Sequence, residues 1–158
     1  MQYYLDMPTP VGWVLRVVEE ENAIIALHIM REQEPAPADA IRQDTALLLE
    51  ARRQLDEYFA GQRAAFSLPV APKGTAFQKA VWRQLEAIPY GETRTYGQIA
   101  AAVGNPKASR AVGGANHNNP VAIIIPCHRV IGANGAMTGY AGGVDLKETL
   151  LRLEGVLK

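Results

Sequence analysis

The stretch FSLPVAPKG, residues 66–74, stops every periodic pattern in the chain, because two prolines and a glycine interrupt it. It divides the 158 residues into a strand-rich half, 1–70, and a half rich in helix signals, 71–158. The first half holds six Lys/Arg against eleven Asp/Glu and the second ten against five, so a net charge of zero conceals balances of −5 and +5. The basic half points to a polyanionic partner, although an uneven solvated surface would give the same counts.

Three strand-like segments open the N-terminal half. They are QYYLDM, VGWVLRVV and AIIALHI, all rich in Val, Ile, Tyr or Leu, and the polar EEEN joins the last two as a hairpin. After the polar connector REQEPAPADA, apolar residues at helical spacing predict a helix from Ile41 to Phe59 that Gly61 ends. The N-terminal half is therefore expected to be a small β-sheet domain with one flanking helix.

The C-terminal half carries several helix-start signals. TAFQ and TYGQ, which begin at Thr75 and Thr95, each match a capping box and predict that a helix follows. The pair NP fits an N-cap with proline at the first helical position and predicts a third helix over residues 106–116. A last helix is expected to open at Asp145 and to close at Gly155. This half is thus predicted to be mostly helical, which makes the chain an α/β protein of two domains.

Two of these short helices meet at VGNP, and the second carries Lys107 and Arg110. This arrangement is typical of a helix-turn-helix. The second helix, KASRAVGGANHNN, is built from small residues and has few long polar side chains that reach base edges. Small residues let backbone amides approach phosphates, which favours DNA binding that is close and blind to sequence. Tight helix packing is the alternative reason for the same residues.

Cys127 is the chain's single cysteine, in the stretch IIIPCHRV. A lone cysteine after an apolar run is commonly inert core. Here Pro126 interrupts a strand-like, extended run, and His128 and Arg129 follow directly; both favour a thiolate if the backbone bends them toward the sulfur. Glu154, at the end of the last helix, is a candidate to orient the histidine.

The composition also excludes several classes of protein. One cysteine cannot form an internal disulfide or a thiolate-rich zinc site, which fits a reducing cytoplasm. The apolar runs are too short to span a bilayer, and MQYYLDMPTP lacks the basic and apolar regions of a secretory signal. We therefore expect a cytoplasmic protein with no membrane partner.

The motif PCHRV, residues 126–130, resembles the active-site signature of the O6-alkylguanine-DNA alkyltransferases. Three further stretches resemble parts of the family in the same order. Residues 74–100 resemble the helices before the recognition helix, residues 104–120 resemble that helix with its following loop, and residues 138–143 resemble the loop that faces the cysteine. The resemblance is continuous from Gly74 to Gly155, while residues 1–70 fit the family's small ribonuclease H-like domain more loosely. It implies a C-terminal domain, 71–158, that binds DNA through a winged-helix-like helix-turn-helix and accepts the alkyl group.

The resemblance implies a catalytic role for each matching residue. Cys127 would accept the alkyl group by in-line displacement, His128 would deprotonate it through a bound water, and Glu154 would orient the imidazole. Asn119 would brace the active-site turn. Tyr96 would donate to the departing guanine and help to rotate its phosphate during extrusion.

On the DNA side, the resemblance makes Arg110 the finger that fills the gap left by a flipped nucleotide. The remaining DNA contacts are implied for Lys107, Tyr96, Asn116, Ala111 and Gly113. The base pocket is implied for the ring of Tyr140, with the amides of Val130 and Ala141 near guanine O6. Two positions depart from some members: 141 is Ala where they have Ser, and 116 is Asn where they have Met.

The implied activity is direct repair of double-stranded DNA, with one irreversible alkyl transfer from O6-alkylguanine, and also O4-alkylthymine, to the protein. No cofactor is implied, and no metal, because the cysteines of the eukaryotic N-terminal zinc site are missing from residues 1–70. A monomer is expected. Alkyltransferase-like proteins, which replace the cysteine, are excluded by Cys127. Two rivals stay open: a non-catalytic damage sensor or transcriptional module using the same helix-turn-helix, and a cysteine hydrolase with a Cys-His-Glu triad.

Overall fold

The computed structural model describes residues 1–137 and 143–157, and the chain divides into two compact units. The sheet unit comprises Met1–Pro72 together with Pro120–Ala122. The helical unit comprises Lys73–Asn119 and the described residues from Ile123 onward. The chain therefore returns to the sheet unit for three residues immediately before the segment that holds Cys127.

A four-stranded sheet in the order β3, β2, β1, β4 forms the sheet unit. β1 (Gln2–Pro8), β2 (Val14–Glu20) and β3 (Ala23–Met30) are antiparallel neighbours, and β4 (Ala40–Arg42) pairs with β1 in parallel. The loop between β2 and β3 has two residues, 21 and 22, with φ of 50° and 63°. Positive φ at both positions is what a tight two-residue hairpin requires, so the predicted hairpin is confirmed.

Helix α1 (Ala46–Phe59) is the flanking helix of the sheet unit. The side chain of Thr45 caps it by accepting from the Leu48 amide and donating to the buried carboxylate of Glu19. The prediction that this helix begins at Ile41 is wrong, because residues 40–42 are drawn into the sheet as β4.

The outer edge of β3 is covered by two short segments of the same unit. Residues 69–71 form backbone hydrogen bonds with Ile24, and residues 120–122 form them with Leu27. An uncovered edge strand is a template for unwanted pairing. The proline-rich connector thus has a structural role here in addition to ending the helix pattern.

The helical unit contains helices and two very short strands: α2 (Ala76–Glu86), β5 (Arg94–Thr95), α3 (Tyr96–Ala102), α4 (Ser109–His117), β6 (Val130–Ile131) and α5 (Val144–Leu153). Both predicted capping boxes are confirmed, at Thr75 and Thr95. α3 and α4 are the two helices of the helix-turn-helix, and β5 pairs with β6 in parallel. The indole of Trp82 donates to the carbonyl of Ala115 at 2.8 Å, which ties α2 to α4.

Two predicted helix starts are wrong. α4 begins at Ser109, because the Asn105 carbonyl accepts from the Ala108 amide and closes a turn before the helix. α5 begins at Val144, so Asp145 lies inside the first turn and does not cap it. The α/β class itself, with an N-terminal sheet, a flanking helix and a helical C-terminal half, is confirmed. Within the described residues, no helix is long and apolar enough to cross a membrane.

Candidate active site around Cys127

Cys127 lies in a tight turn. The three isoleucines before it suggest an extended run, which the backbone does not form there. Ile123 has a φ of 69°, a left-handed conformation that a β-branched residue adopts at a cost. Pro126 (φ −80°, ψ 66°) centres an inverse γ-turn in which the Cys127 amide donates to the Ile125 carbonyl at 2.8 Å. A 3-10 helix, Cys127–Arg129, follows at once. The bend that a Cys-His pair needs is therefore built into the backbone.

Two asparagine side chains brace this turn. Nδ2 of Asn119 donates to the Ile125 carbonyl at 2.8 Å, as the resemblance implies for this residue. Nδ2 of Asn116 donates to the Cys127 carbonyl at 3.3 Å. Asn116 is only 2% exposed, and its side chain points inward from α4 to the backbone of Cys127. A contact between this position and DNA stays a prediction.

A buried charged cluster follows the cysteine. Nε2 of His128 lies 2.6 Å from Oε2 of Glu154. Arg129 clamps the same carboxylate through Nε to Oε1 at 2.8 Å and Nη2 to Oε2 at 3.1 Å, and its Nη1 donates to the Ile88 carbonyl at 2.7 Å. The side chains of His128 and Glu154 are fully buried, so the guanidinium fixes the pair in place away from bulk solvent.

The protonation state of His128 follows from these contacts. A carboxylate only accepts, so Nε2 carries the hydrogen and donates to Glu154. Burial lowers the pKa of His128 below its ordinary value, and the bond to Glu154 opposes this only in part. At neutral pH the ring is therefore neutral, and Nδ1 is left as an acceptor with no hydrogen-bond partner among the described residues.

Lys147 is a buried cation that the sequence reading missed. It lies on α5 with no exposed surface, and its Nζ is 5.8 Å from the centre of the Tyr96 ring. Burial lowers the pKa of Lys147 to about 8, while the charge of Cys127 acts in the opposite direction. Helical spacing was the sequence signal for this burial, because Leu150 and Leu151 follow Lys147 at three and four positions and lie on the same buried side of α5.

The predicted DNA-contacting residues other than the buried Asn116 are at least partly exposed on the helix-turn-helix. Lys107, Arg110 and Ala111 are exposed, and Gly113 faces Tyr96, whose ring would lie 4.0 Å from a Cβ added there. The Val130 amide donates to the Cys127 carbonyl and is therefore committed to the turn. Tyr140 and Ala141, predicted for the base pocket, lie outside the described residues.

Residues 1–137 and 143–157 contain no group of three or more His, Cys, Asp or Glu side chains that could hold a metal ion. The chemistry that the described residues offer is that of one thiol, one neutral imidazole and one carboxylate, with buried cations beside them. This set suits nucleophilic attack by sulfur after loss of its proton.

Two family models match the chain. The ribonuclease-like domain of 6-O-methylguanine DNA methyltransferase matches residues 2–72, and the DNA-binding domain of the same enzyme matches residues 76–156. The chain belongs to the 6-O-methylguanine DNA methyltransferase family.

Named relatives agree with the family models. The methylated-DNA–protein-cysteine methyltransferase of Methanosarcina acetivorans is 52% identical over 153 residues, covering 97% of this chain and 98% of that protein. The constitutive enzyme of that name from Bacillus subtilis is 50% identical over 159 residues, covering 98% and 96%. The structure of Mycobacterium tuberculosis OGT in complex with DNA matches with a TM-score of 0.88 at 45% identity, covering 96% of this chain and 92% of that one.

In this member of the methyltransferase family, the buried charged cluster joins residues that lie far apart in the sequence. His128 and Glu154 are 26 positions apart and in hydrogen-bond contact, as the resemblance implies. The sequence analysis did not predict three features: the clamp of Arg129 on Glu154, the burial of Lys147, and the inward side chain of Asn116. Each depends on the packing of α4 or α5 around the turn. Of these, the burial of Lys147 alone had a signal, its helical spacing from Leu150 and Leu151.

Proposed function

We propose that this protein repairs DNA by transferring the alkyl group of O6-alkylguanine, and also of O4-alkylthymine, to Sγ of its own Cys127. The observation that carries the proposal is a single cysteine followed by a buried, neutral His128 whose Nε2 is committed to Glu154. Such a histidine accepts a proton from a neighbouring thiol. The names of the relatives, methylated-DNA–protein-cysteine methyltransferases, support the same activity.

The proposed reaction begins with the loss of the Cys127 proton, which passes through a water to Nδ1 of His128. The thiolate then attacks the alkyl carbon, an S–C bond forms, and the C–O bond to guanine breaks. The electron pair stays on the base, and the Tyr96 hydroxyl donates to it as it leaves. The buried ammonium of Lys147 favours the negative sulfur in the first step. The two groups are near enough for the charge of Cys127 to act on the pKa of Lys147 in the raising direction.

The product is a thioether, which is stable to water. The chain has no second cysteine to displace the alkyl group. Each molecule therefore reacts once, and repair is stoichiometric. No cofactor takes part, and we propose that the protein acts as a monomer in the cytoplasm.

The target base lies inside the duplex, so the proposed reaction requires nucleotide flipping. The exposed side of α4 supports this role, because Arg110 is a long, exposed side chain among the small residues Ala111 and Gly113. Arg110 takes the place of the extruded nucleotide, and Lys107 and the backbone of α4 contact phosphates. Damaged double-stranded DNA is thus the partner we propose, consistent with the DNA complex of the M. tuberculosis relative.

The test is transfer of a labelled methyl group from an O6-methylguanine duplex to the protein, comparing the wild type with Cys127→Ser. We expect the label on the wild type and none on the variant, with the two binding the duplex equally well in a fluorescence anisotropy titration. Label on Cys127→Ser would refute the acceptor assignment. Equal binding with no label on either protein would instead identify a damage sensor.

A further inference from the structure

Two buried side-chain atoms, one on a residue that bonds to the backbone of Cys127 and one on the residue after it, have no hydrogen-bond partner within residues 1–137 and 143–157. They are Oδ1 of Asn116 and Nδ1 of His128. Asn116 is 2% exposed and His128 is fully buried. A buried polar atom without a partner is uncommon, and an ordered water is one of its ordinary explanations.

The orientation of Asn116 is fixed by its contact with the cysteine. Its Nδ2 donates to the Cys127 carbonyl at 3.3 Å, and the reversed amide would place two acceptor oxygens against each other. Oδ1 is therefore an acceptor held beside Cys127 by the same amide group. The Cys127 carbonyl also accepts from the Val130 amide, so the turn does not depend on Asn116 alone.

His128 offers a second acceptor from the next residue along the chain. Its Nε2 is committed to Glu154 at 2.6 Å, so a neutral ring presents Nδ1 as an acceptor. Asn116 thus bonds to the backbone of Cys127 and His128 follows it in the chain, and each has one buried acceptor without a donor among the described residues. A water has two hydrogens to donate, and a buried water needs two to four polar partners.

We propose that Asn116 is a positioning residue whose Oδ1, together with Nδ1 of His128, holds one water by accepting its two hydrogens and so turns its lone pairs toward the Cys127 thiol. This inference rests on the proposed function for the use of that water, and it adds a residue of the recognition helix to the proton path. α4 thereby contributes to the reactivity of the nucleophile as well as to contact with DNA.

The proton step balances without any further reactant. The S–H bond of Cys127 breaks and its proton passes to the water oxygen, while the water gives one of its hydrogens to Nδ1 of His128. The products are a thiolate, an imidazolium that keeps its bond to Glu154, and an intact water. Oδ1 of Asn116 gains no proton, because it only fixes the direction of the water.

Other charged groups act on this histidine and stay in place when Asn116 is changed. Glu154 bonds to the ring, Arg129 clamps Glu154 from the 3-10 helix, and Lys147 approaches from α5. Replacing Asn116 by an uncharged residue therefore changes the water and leaves the local charges as they are.

The experiment measures the rate constant of Cys127 alkylation by iodoacetamide between pH 5 and 10, for the wild type, Asn116→Met, His128→Phe and the double variant. Cys127 is the chain's single thiol, so the signal has no background from other cysteines. Asn116→Met should move the pH midpoint of the reaction up by about one unit, which is about tenfold in rate at neutral pH, and leave the high-pH plateau unchanged. In the double variant, Met should add nothing to the effect of His128→Phe.

An unchanged midpoint in Asn116→Met would overturn the proposal, and so would losses that multiply in the double variant. A lower plateau with an unmoved midpoint would also overturn it and would leave Asn116 as a packing residue. If the Met variant does not fold, Asn116→Leu replaces it. A crystal structure of the wild type supplies a test without any variant: a water within hydrogen-bond distance of both acceptors is expected, and its absence there contradicts the inference.

The same measurements separate this inference from the proposed function. If the wild type takes a methyl group from DNA but the pH midpoint of alkylation is the same in Asn116→Met, the proposed function stands and the positioning role is rejected. A shifted midpoint in a protein that takes no methyl group from DNA would do the reverse.

Discussion

Both units bury charged and polar side chains, but they treat them differently. In the sheet unit, Arg16 donates to both carboxylate oxygens of Asp6 and to two backbone carbonyls, and Gln54 bonds to Glu50 and to Ser67. In the helical unit, among the described residues, two buried side-chain atoms have no partner, and burial lowers the pKa of both His128 and Lys147. The left-handed Ile123 lies in the same turn region as Cys127.

We infer from this difference that the buried polar groups of the sheet unit stabilise the fold, whereas those around Cys127 serve the reaction. A satisfied buried group contributes to a unique structure, whereas an unsatisfied or strained one persists where a ligand or a reaction uses it. In the helical unit, the unpaired acceptors, the lowered pKa values and the left-handed Ile123 all belong to residues that neighbour Cys127 in the chain, bond to it or interact with its charge. Variants in the sheet unit should therefore cost stability, and variants around Cys127 should cost activity.

The largest contrast is expected between two buried carboxylates, Glu154 and Glu19. Glu154→Gln removes the carboxylate charge that orients His128 and stabilises its protonated form, and loss of such base assistance should lower the transfer rate by roughly 100-fold. Glu19→Gln weakens only the contact with Thr45 and should lower the Tm by ~2–4 °C with an unchanged rate. Single-turnover transfer and thermal unfolding of both variants measure the two effects. Equal rates for the two variants would break the contrast between the units.

A second contrast lies within the helical unit, between its buried cluster and its exposed helix. Arg110→Ala removes the side chain that we propose replaces a flipped nucleotide, so repair of a duplex should slow by roughly 30-fold, since flipping costs a few kcal/mol. Reaction with free O6-benzylguanine, which needs no flipping, should be nearly unaffected. The duplex defect should shrink when the lesion is mismatched or single-stranded.

Lys107→Ala is the matched control for Arg110. Both residues are exposed cations of the helix-turn-helix. The Lys107 variant should weaken binding of any duplex and lower the salt slope by about one unit, without changing the ratio of duplex to free-base rates. A parallel loss on duplex and free base in Arg110→Ala would show that this residue acts on the chemistry or the fold.

The smallest effects are expected for Lys147, where activity and stability should move in opposite directions. With a pKa lowered to about 8, the folded protein carries the cost of a buried charge at pH 7 and sheds it as pH rises from about 8 toward the ordinary value of 10.5. Lys147→Met should therefore raise the Tm at pH 7 by ~2–4 °C and lose that advantage at higher pH. Transfer should slow several-fold, because the thiolate loses a neighbouring cation.

The exposed Lys79 on α2 provides the control for Lys147. Lys79→Met should change neither the Tm profile nor the transfer rate. A lower Tm for Lys147→Met at pH 7 would show that the ammonium stabilises the fold, and the interpretation of Lys147 as an activity-related group would have to be abandoned.

Much of the fold was predictable from local signals. The three long strands, both capping boxes and the glycine at the end of α1 follow from short patterns whose physics is local. The errors arose where the tertiary structure overrides the local pattern. β4 forms because β1 offers a free edge, and α4 starts late because a turn uses residues 105–108.

The site divides in the same way. Cys127, His128 and Glu154 were found from a motif and from the chemistry that a thiol requires, and the contact between His128 and Glu154 is present. The burial of Lys147 and of Asn116 was not predicted, since burial of a lysine or an asparagine depends on which side of its helix faces the core. On α5 the spacing of Lys147 from Leu150 and Leu151 indicates that side, whereas the small residues of α4 give no such pattern for Asn116.

The most direct test of the central claim, that Cys127 is the final acceptor, is the intact mass of the protein after reaction with an excess of O6-methylguanine duplex. Every molecule should gain the mass of one methyl in place of one hydrogen, on the peptide that contains Cys127, and repair should stop at one lesion per chain. Loss of methyl groups from many equivalents of DNA with an unchanged protein mass would contradict it, because that result describes a hydrolase that releases its product.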